Sequence, residues 1–164
     1  MNTQVGSELD IAIIDALQTR PRADWAQVGQ ALRHAPKTLA RRWRALSESG
    51  LAWVSLVPGP AFVRYGAAAF TSIRCRPQTS RDVAAALVAE PEIVSVASTS
   101  GEAHFLLDVF APSLGHLTEL LDDRVAQIAG ITSVTSVIVL ETFREGSRWR
   151  VRALDIHQSA LLGR

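Results

Sequence analysis

The chain begins as three short amphipathic segments and then changes period. Leu9, Ile13, Ala16 and Leu17 recur at i, i+4, i+7 and i+8, one face of a helix. Ser7 stands before them as an N-cap, and Glu8 and Asp10 fall in the first turn, where the helix dipole favours acids. Arg20-Pro21 ends this segment. Asp24 caps a second, in which Trp25, Val28, Gly29 and Leu32 share a face. A very short turn over 33–35 precedes a third helix. Pro36 suits its first turn, Leu39, Trp43 and Leu46 form its apolar stripe, and Gly50 suits a left-handed stop. Residues 53–57 read as a short strand closed by Pro58-Gly59-Pro60. Three helices, a tight second turn and a following strand describe a winged helix-turn-helix.

Beyond a linker over 58–65, the pattern alternates between strand and helix. Over 66–76, Ala67, Ala69, Thr71, Ile73 and Cys75 fall on one face, and Phe70, Ser72, Arg74 and Arg76 on the other. A helix follows, capped by Thr79 or Ser80 and carrying Val83, Ala84, Leu87 and Val88. Strands are expected over 93–98 and 104–110, separated by a turn at Ser100-Gly101. A long helix opens at Ser113, with Leu114, Leu117, Leu121, Val125 and Ile128 on one stripe, and stops at Gly130. A fourth strand, rich in β-branched residues, is expected over 134–143. The order strand, helix, strand, strand, helix, strand is ferredoxin-like: a four-stranded antiparallel sheet with two helices on one face. The expected class is therefore α+β, with domains over 1–57 and 66–143. A tail over 144–164 reads as a fifth, edge strand carrying Arg144, Arg148, Arg150 and Arg152, then a short amphipathic helix.

Charge sharpens this picture. The 164-residue chain has a formal net charge of only +1, but residues 1–60 hold seven basic and five acidic residues. Residues 33–44 contain five of those cations and no acid. A short basic helix with one apolar face suits the major groove, since its cations attract phosphate and Arg reaches base edges. Thr38, Arg41 and Arg42 are the leading candidates for DNA contact, with Lys37 and Arg44 on phosphate. A helix-turn-helix this small covers one half-site, so useful affinity calls for a dimer.

The lone cysteine, Cys75, excludes an intrachain disulfide and fits a reducing cytoplasm. The polar N-terminus is unlike a signal peptide, and no apolar run approaches a membrane span. The four histidines are too scattered for a metal motif, although His104 and His116 flank one strand. No nucleophile–base constellation or phosphate loop is readable, so neither a catalytic site nor a cofactor is expected.

Leu9-Asp10, Asp15-Ala16-Leu17, Arg20-Pro21-Arg22, the run from Thr38 to Leu46, and Gly50-Leu51 together resemble the Lrp/AsnC family of bacterial and archaeal transcription regulators. The resemblance extends over about 8–143. It implies a DNA-binding first domain and a second domain that pairs through its sheet into a homodimer, and in the family such dimers often assemble further, into tetramers or octamers. The departures lie in the turn. The family usually places Gly, an aliphatic residue and Ser where this chain has Arg33, His34 and Ala35. Without Gly, Arg33 must carry a left-handed conformation, at about 1–2 kcal/mol. Without Ser, the third helix loses a cap worth about 1 kcal/mol. His34 either points outward toward phosphate or covers the edge of the core.

The stretch 98–107 resembles the family's effector loop. Gly101, Glu102 and the following apolar run match, whereas His104 stands where Asp is usual and Ala103 where an aromatic is usual. The resemblance implies an amino-acid-like effector, with Ser98, Thr99, Gly101, Glu102, His104, Thr132 and Ser136 as candidate contacts. Backbone N–H groups and hydroxyls can hold a carboxylate, and an acid can hold an ammonium. Two other readings stay open. Sirohaem decarboxylases resemble the same two-domain architecture, which makes an enzyme the first rival. The second is a ligand-binding or assembly module whose DNA domain is silent.

Overall fold

A computed structural model describes residues 6–59, 62, 65–143 and 149–163. The chain divides into two compact units, one formed by Met1–Val57 with Gly146–Arg164 and the other by Pro58–Glu145.

In the first unit, α1 spans Glu8–Thr19, α2 Trp25–Leu32 and α3 Pro36–Glu48. Ser7 and Asp10 form a reciprocal capping box at α1, as Asp24 and Gln27 do at α2. Ile13, Ala16, Val28, Leu32 and Leu39 make the core. Burying one such aliphatic side chain stabilises by roughly 1.5–3 kcal/mol. Gly29 is required where α2 meets the turn, because a Cβ there would lie 2.8 Å from the His34 carbonyl oxygen. Gly50 ends α3 with φ +71°, as its place in the sequence predicts.

The strand expected over 53–57 does not form. These residues carry no regular structure, and Trp53 and Leu56 are 72% and 94% exposed. A strand exists only as half of a ladder, and this segment has no ladder partner among the described residues. The expected wing is therefore absent from the described chain.

The tail also departs from expectation. Residues 149–155 form no strand, while a short helix, α6, spans Ile156–Leu161. The groups that would build a fifth strand are taken by α1. Arg150 Nε and Nη2 donate to Asp15 Oδ1 at 2.8 and 2.6 Å. The Leu154 N–H donates to Asp15 Oδ2 at 2.8 Å, and the Val151 N–H to Gln18 Oε1 at 3.0 Å. Asp15 is fully buried, with both oxygens satisfied, and Leu162 is buried in the same core. Arg144 and Arg148, expected on the same strand, lie outside the described residues.

In the second unit, β1 spans Ala67–Cys75, α4 Ser80–Val88, β2 Ile93–Ser98, β3 Phe105–Ala111, α5 Leu114–Glu119 and β4 Ile131–Ile138. The antiparallel sheet has the order β2-β3-β1-β4, the ferredoxin-like arrangement. Alternate β1 residues are buried, from Ala67 through Thr71 to Cys75. With Leu107, Val109, Val83, Leu87, Leu117 and Val125 they form one core against the helices.

Two elements differ from their expected extents. The long helix opening at Ser113 is α5 followed by a π-helical segment over Leu120–Val125. Arg124 on that segment is ion-paired with Glu90 and Glu92, at the entry to β2. Strand β4 starts and ends earlier than the expected 134–143. Its length follows its partner: Ala69 pairs with Ile138, the Val139 N–H reaches the Ala68 carbonyl, and β1 then runs out. A register shift between Arg74 and Cys75 brings Ile131 into the ladder at the other end.

Candidate functional site

Helix α3 buries Leu39 and Leu46 and turns the opposite side outward. At 3.6 residues per turn, Lys37, Arg41 and Arg44 fall within about 60° of one another on that outward side. All three are exposed, and Thr38 flanks them half-buried. Ala35 at the N-cap makes no side-chain hydrogen bond, so the helix starts uncapped.

Arg42, expected as a DNA contact, is bonded within its own unit. It lies at the edge of this face, turned toward α1, where Nη1 donates to Asp10 Oδ1 at 2.7 Å and to Ser7 Oγ at 2.8 Å. Burial alone would raise the Asp10 carboxyl. Hydrogen bonds from Arg42 and from Ser7 outweigh it and hold that carboxyl below its usual range. Arg42 therefore ties α3 to the start of α1.

The turn shows the conformation expected from its missing glycine. Arg33 has φ 55° and ψ 41°, in the left-handed region. His34 is exposed, and its Nδ1–H donates to the Leu32 carbonyl at 2.7 Å, which keeps the ring beside the end of α2.

The loop between β2 and β3 lies at the C-terminal end of β1. The Thr99 N–H donates to the His104 carbonyl at 3.0 Å, and the His104 N–H to the Ile73 carbonyl at 2.8 Å. His104 Nδ1 accepts the Cys75 N–H at 3.2 Å. His104 thus serves the backbone of β1, and Glu102 is ion-paired with Arg74. Arg74 is not among the residues the sequence points to for this site. Its outward position on β1 was legible, but its acidic partner lies 28 residues away in a loop. Ser98, Thr99 and Gly101, on the end of β2 and in the same loop, are exposed. Ser133, next to the exposed Thr132, is paired with Arg74 across β1.

The structure does not bring Ser136 to this group. Ser136 Oγ is 2.8 Å from Thr71 Oγ1, further along β1 and on its buried side. Among the described residues, no cluster of His, Cys, Asp or Glu could hold a metal ion. No helix among them is long and apolar enough to cross a membrane.

Comparison with known proteins gives these surfaces a context. The sequence profile of the Lrp/AsnC ligand binding domain matches residues 68–149. The chain belongs to the Lrp/AsnC family. Two relatives named as HTH-type transcriptional regulators are covered over nearly their full length. The HTH-type transcriptional regulator FL11 of Pyrococcus furiosus is 27% identical over 146 residues, covering 88% of this chain and 96% of the relative. An HTH-type transcriptional regulator of Mycobacterium tuberculosis is 28% identical over 136 residues, covering 81% of this chain and 90% of that protein. Among solved structures, a Neisseria meningitidis transcriptional regulator in complex with L-Met shares the fold with a TM-score of 0.75. It is 22% identical and covers 90% of this chain and 98% of the other.

Proposed function

We propose that this Lrp/AsnC protein binds specific double-stranded DNA through α3 and acts as a transcription regulator answering to a small amino-acid-like effector. The observation that carries this reading is the outward face of α3. Three exposed cations sit on one side of a helix whose other side is buried in its own unit, and the relatives are named HTH-type transcriptional regulators. On this reading Arg41 and Thr38 reach base edges, while Lys37 and Arg44 hold phosphates. The retained basic face argues against the enzyme reading and against a silent DNA domain, neither of which needs it.

The second unit is read as the effector and pairing domain. The Arg74–Glu102 pair suits a zwitterion: a ligand carboxylate takes the guanidinium, and its ammonium takes Glu102. On this reading Ser98, Thr99, the backbone beside Gly101, and Thr132 supply the remaining contacts, with His104 holding the loop to the backbone of β1. The Neisseria relative's complex with L-Met makes amino acids the first ligands to test. A homodimer through the open sheet face, formed in the cytoplasm, completes the reading.

The test is fluorescence anisotropy on DNA from the protein's own upstream region, with random DNA as competitor and salt varied. Competitor-resistant binding with a steep negative salt slope is expected. Arg41→Ala is expected to weaken it by about 1–3 kcal/mol and relax the preference at one base pair. Arg42→Ala is expected to lower the melting temperature while leaving the salt slope intact, because its guanidinium serves Asp10. Weak binding, equal on both DNAs, would overturn the regulator reading.

A further inference from the structure

We propose that Arg33 is a further DNA contact, taking a backbone phosphate from the turn immediately ahead of the Lys37, Arg41 and Arg44 face. This inference rests on the DNA-binding reading above and adds to it a residue outside α3. Three observations place it. Arg33 is exposed, and its guanidinium makes no hydrogen bond or ion pair among the described residues. That distinguishes it from Arg42, Arg74, Arg124 and Arg150, each held by a carboxylate. Arg33 also begins the stretch 33–44, which contains no acid, so nothing nearby in the chain competes for its charge. It stands in the turn between α2 and the start of α3 at Pro36, four residues ahead of Lys37.

The third observation is the backbone. Arg33 holds φ 55°, a conformation that favours glycine. A glycine would relieve the turn but carry no charge. As a purely structural residue, Arg33 is a poor choice at this position. As a phosphate contact it is a sensible one, because it puts a long, exposed cationic side chain on the turn that leads into the basic helix. A backbone contact positions the protein without reading sequence, so Arg33 is assigned to affinity and not to specificity.

The two roles give opposite signs in one variant. Arg33→Gly is expected to raise the melting temperature of the full-length protein by a few degrees, since strain is relieved. It is also expected to weaken binding to upstream DNA and to random DNA alike. Each phosphate contact steepens the affinity loss between 50 and 200 mM salt by about threefold, so that loss should shrink by about this factor for each bound protomer. Arg33→Lys keeps the charge and is expected to keep the wild-type salt slope. Arg33→Ala, with its folding checked by circular dichroism, should follow the glycine variant in DNA binding, which guards against a rebuilt turn. Glycine and alanine variants that are folded and keep the wild-type affinity and salt slope would overturn the assignment of Arg33 alone, leaving the α3 interface in place. A wild-type protein that binds neither DNA would overturn both readings.

Discussion

Arg33 and Ala35 show how much a single residue reveals when its context is local. A turn that normally takes glycine forces whatever replaces it into the left-handed region, and Arg33 adopts it. A helix start without Ser, Thr, Asp or Asn has no side-chain cap, and Ala35 supplies none. Both outcomes depend on a few neighbouring atoms, so they were legible in sequence. Asp108 was not. It sits half-buried on the open face of the sheet, paired across the ladder with Phe70 and Ser95, and burial raises its carboxyl above the usual range. The folded state therefore holds the Asp108 proton more tightly than the unfolded chain does. Its contribution to stability is fully present below the unfolded value of about 3.9 and is lost as pH rises through the folded value. Asp108→Asn is thus expected to be more stable than wild type at pH 7, with the advantage shrinking toward pH 3.5. Urea denaturation at the two pH values checks this, and a variant less stable at pH 7 contradicts it.

At the scale of elements, the helices of the first unit followed their apolar spacing closely, whereas strands depended on partners. Residues 53–57 and 140–143 have strand-like composition, but neither segment has a ladder partner among the described residues. The tail is the clearest case. Its alternating Arg and apolar residues satisfy a strand pattern, yet a buried carboxylate on α1 captures the guanidinium of Arg150 and the N–H of Leu154. Removing one member of a buried, fully satisfied pair leaves a charge without compensation and typically costs about 3–5 kcal/mol. Arg150→Ala is therefore expected to destabilise the first unit by roughly that amount, measured by urea denaturation of the full chain, with Arg150→Lys recovering part of the loss. A change below about 1 kcal/mol would show that the clasp is not a structural element of this unit.

For the whole molecule, the open face of the sheet has the most to say. Phe70 is 49% exposed, and Val137 and Leu106 on the same face are 61% and 41% exposed. Exposed apolar side chains on one sheet face suit an interaction site, and the pairing proposed above would use it. Phe70→Glu is expected to shift the protein toward monomer in sedimentation velocity, with its circular dichroism spectrum unchanged. DNA affinity should fall with it, because one protomer covers one half-site. An unchanged sedimentation coefficient would place the pairing surface elsewhere.

The sequence by itself determined the helices of the first unit, the strained turn, the order of strands and helices in the second, and the basic face of α3. These rest on periodicity, capping and local charge, which act over a few residues. Only the tertiary structure decided where β4 ends, that Arg42 and Arg150 serve carboxylates within their own unit, that Arg74 holds Glu102, and that Ser136 lies apart from the effector loop. Each of those depends on a partner 28 or more residues away. No periodicity encodes such a separation, because hydrogen bonds and ion pairs are settled by which surfaces packing brings into contact.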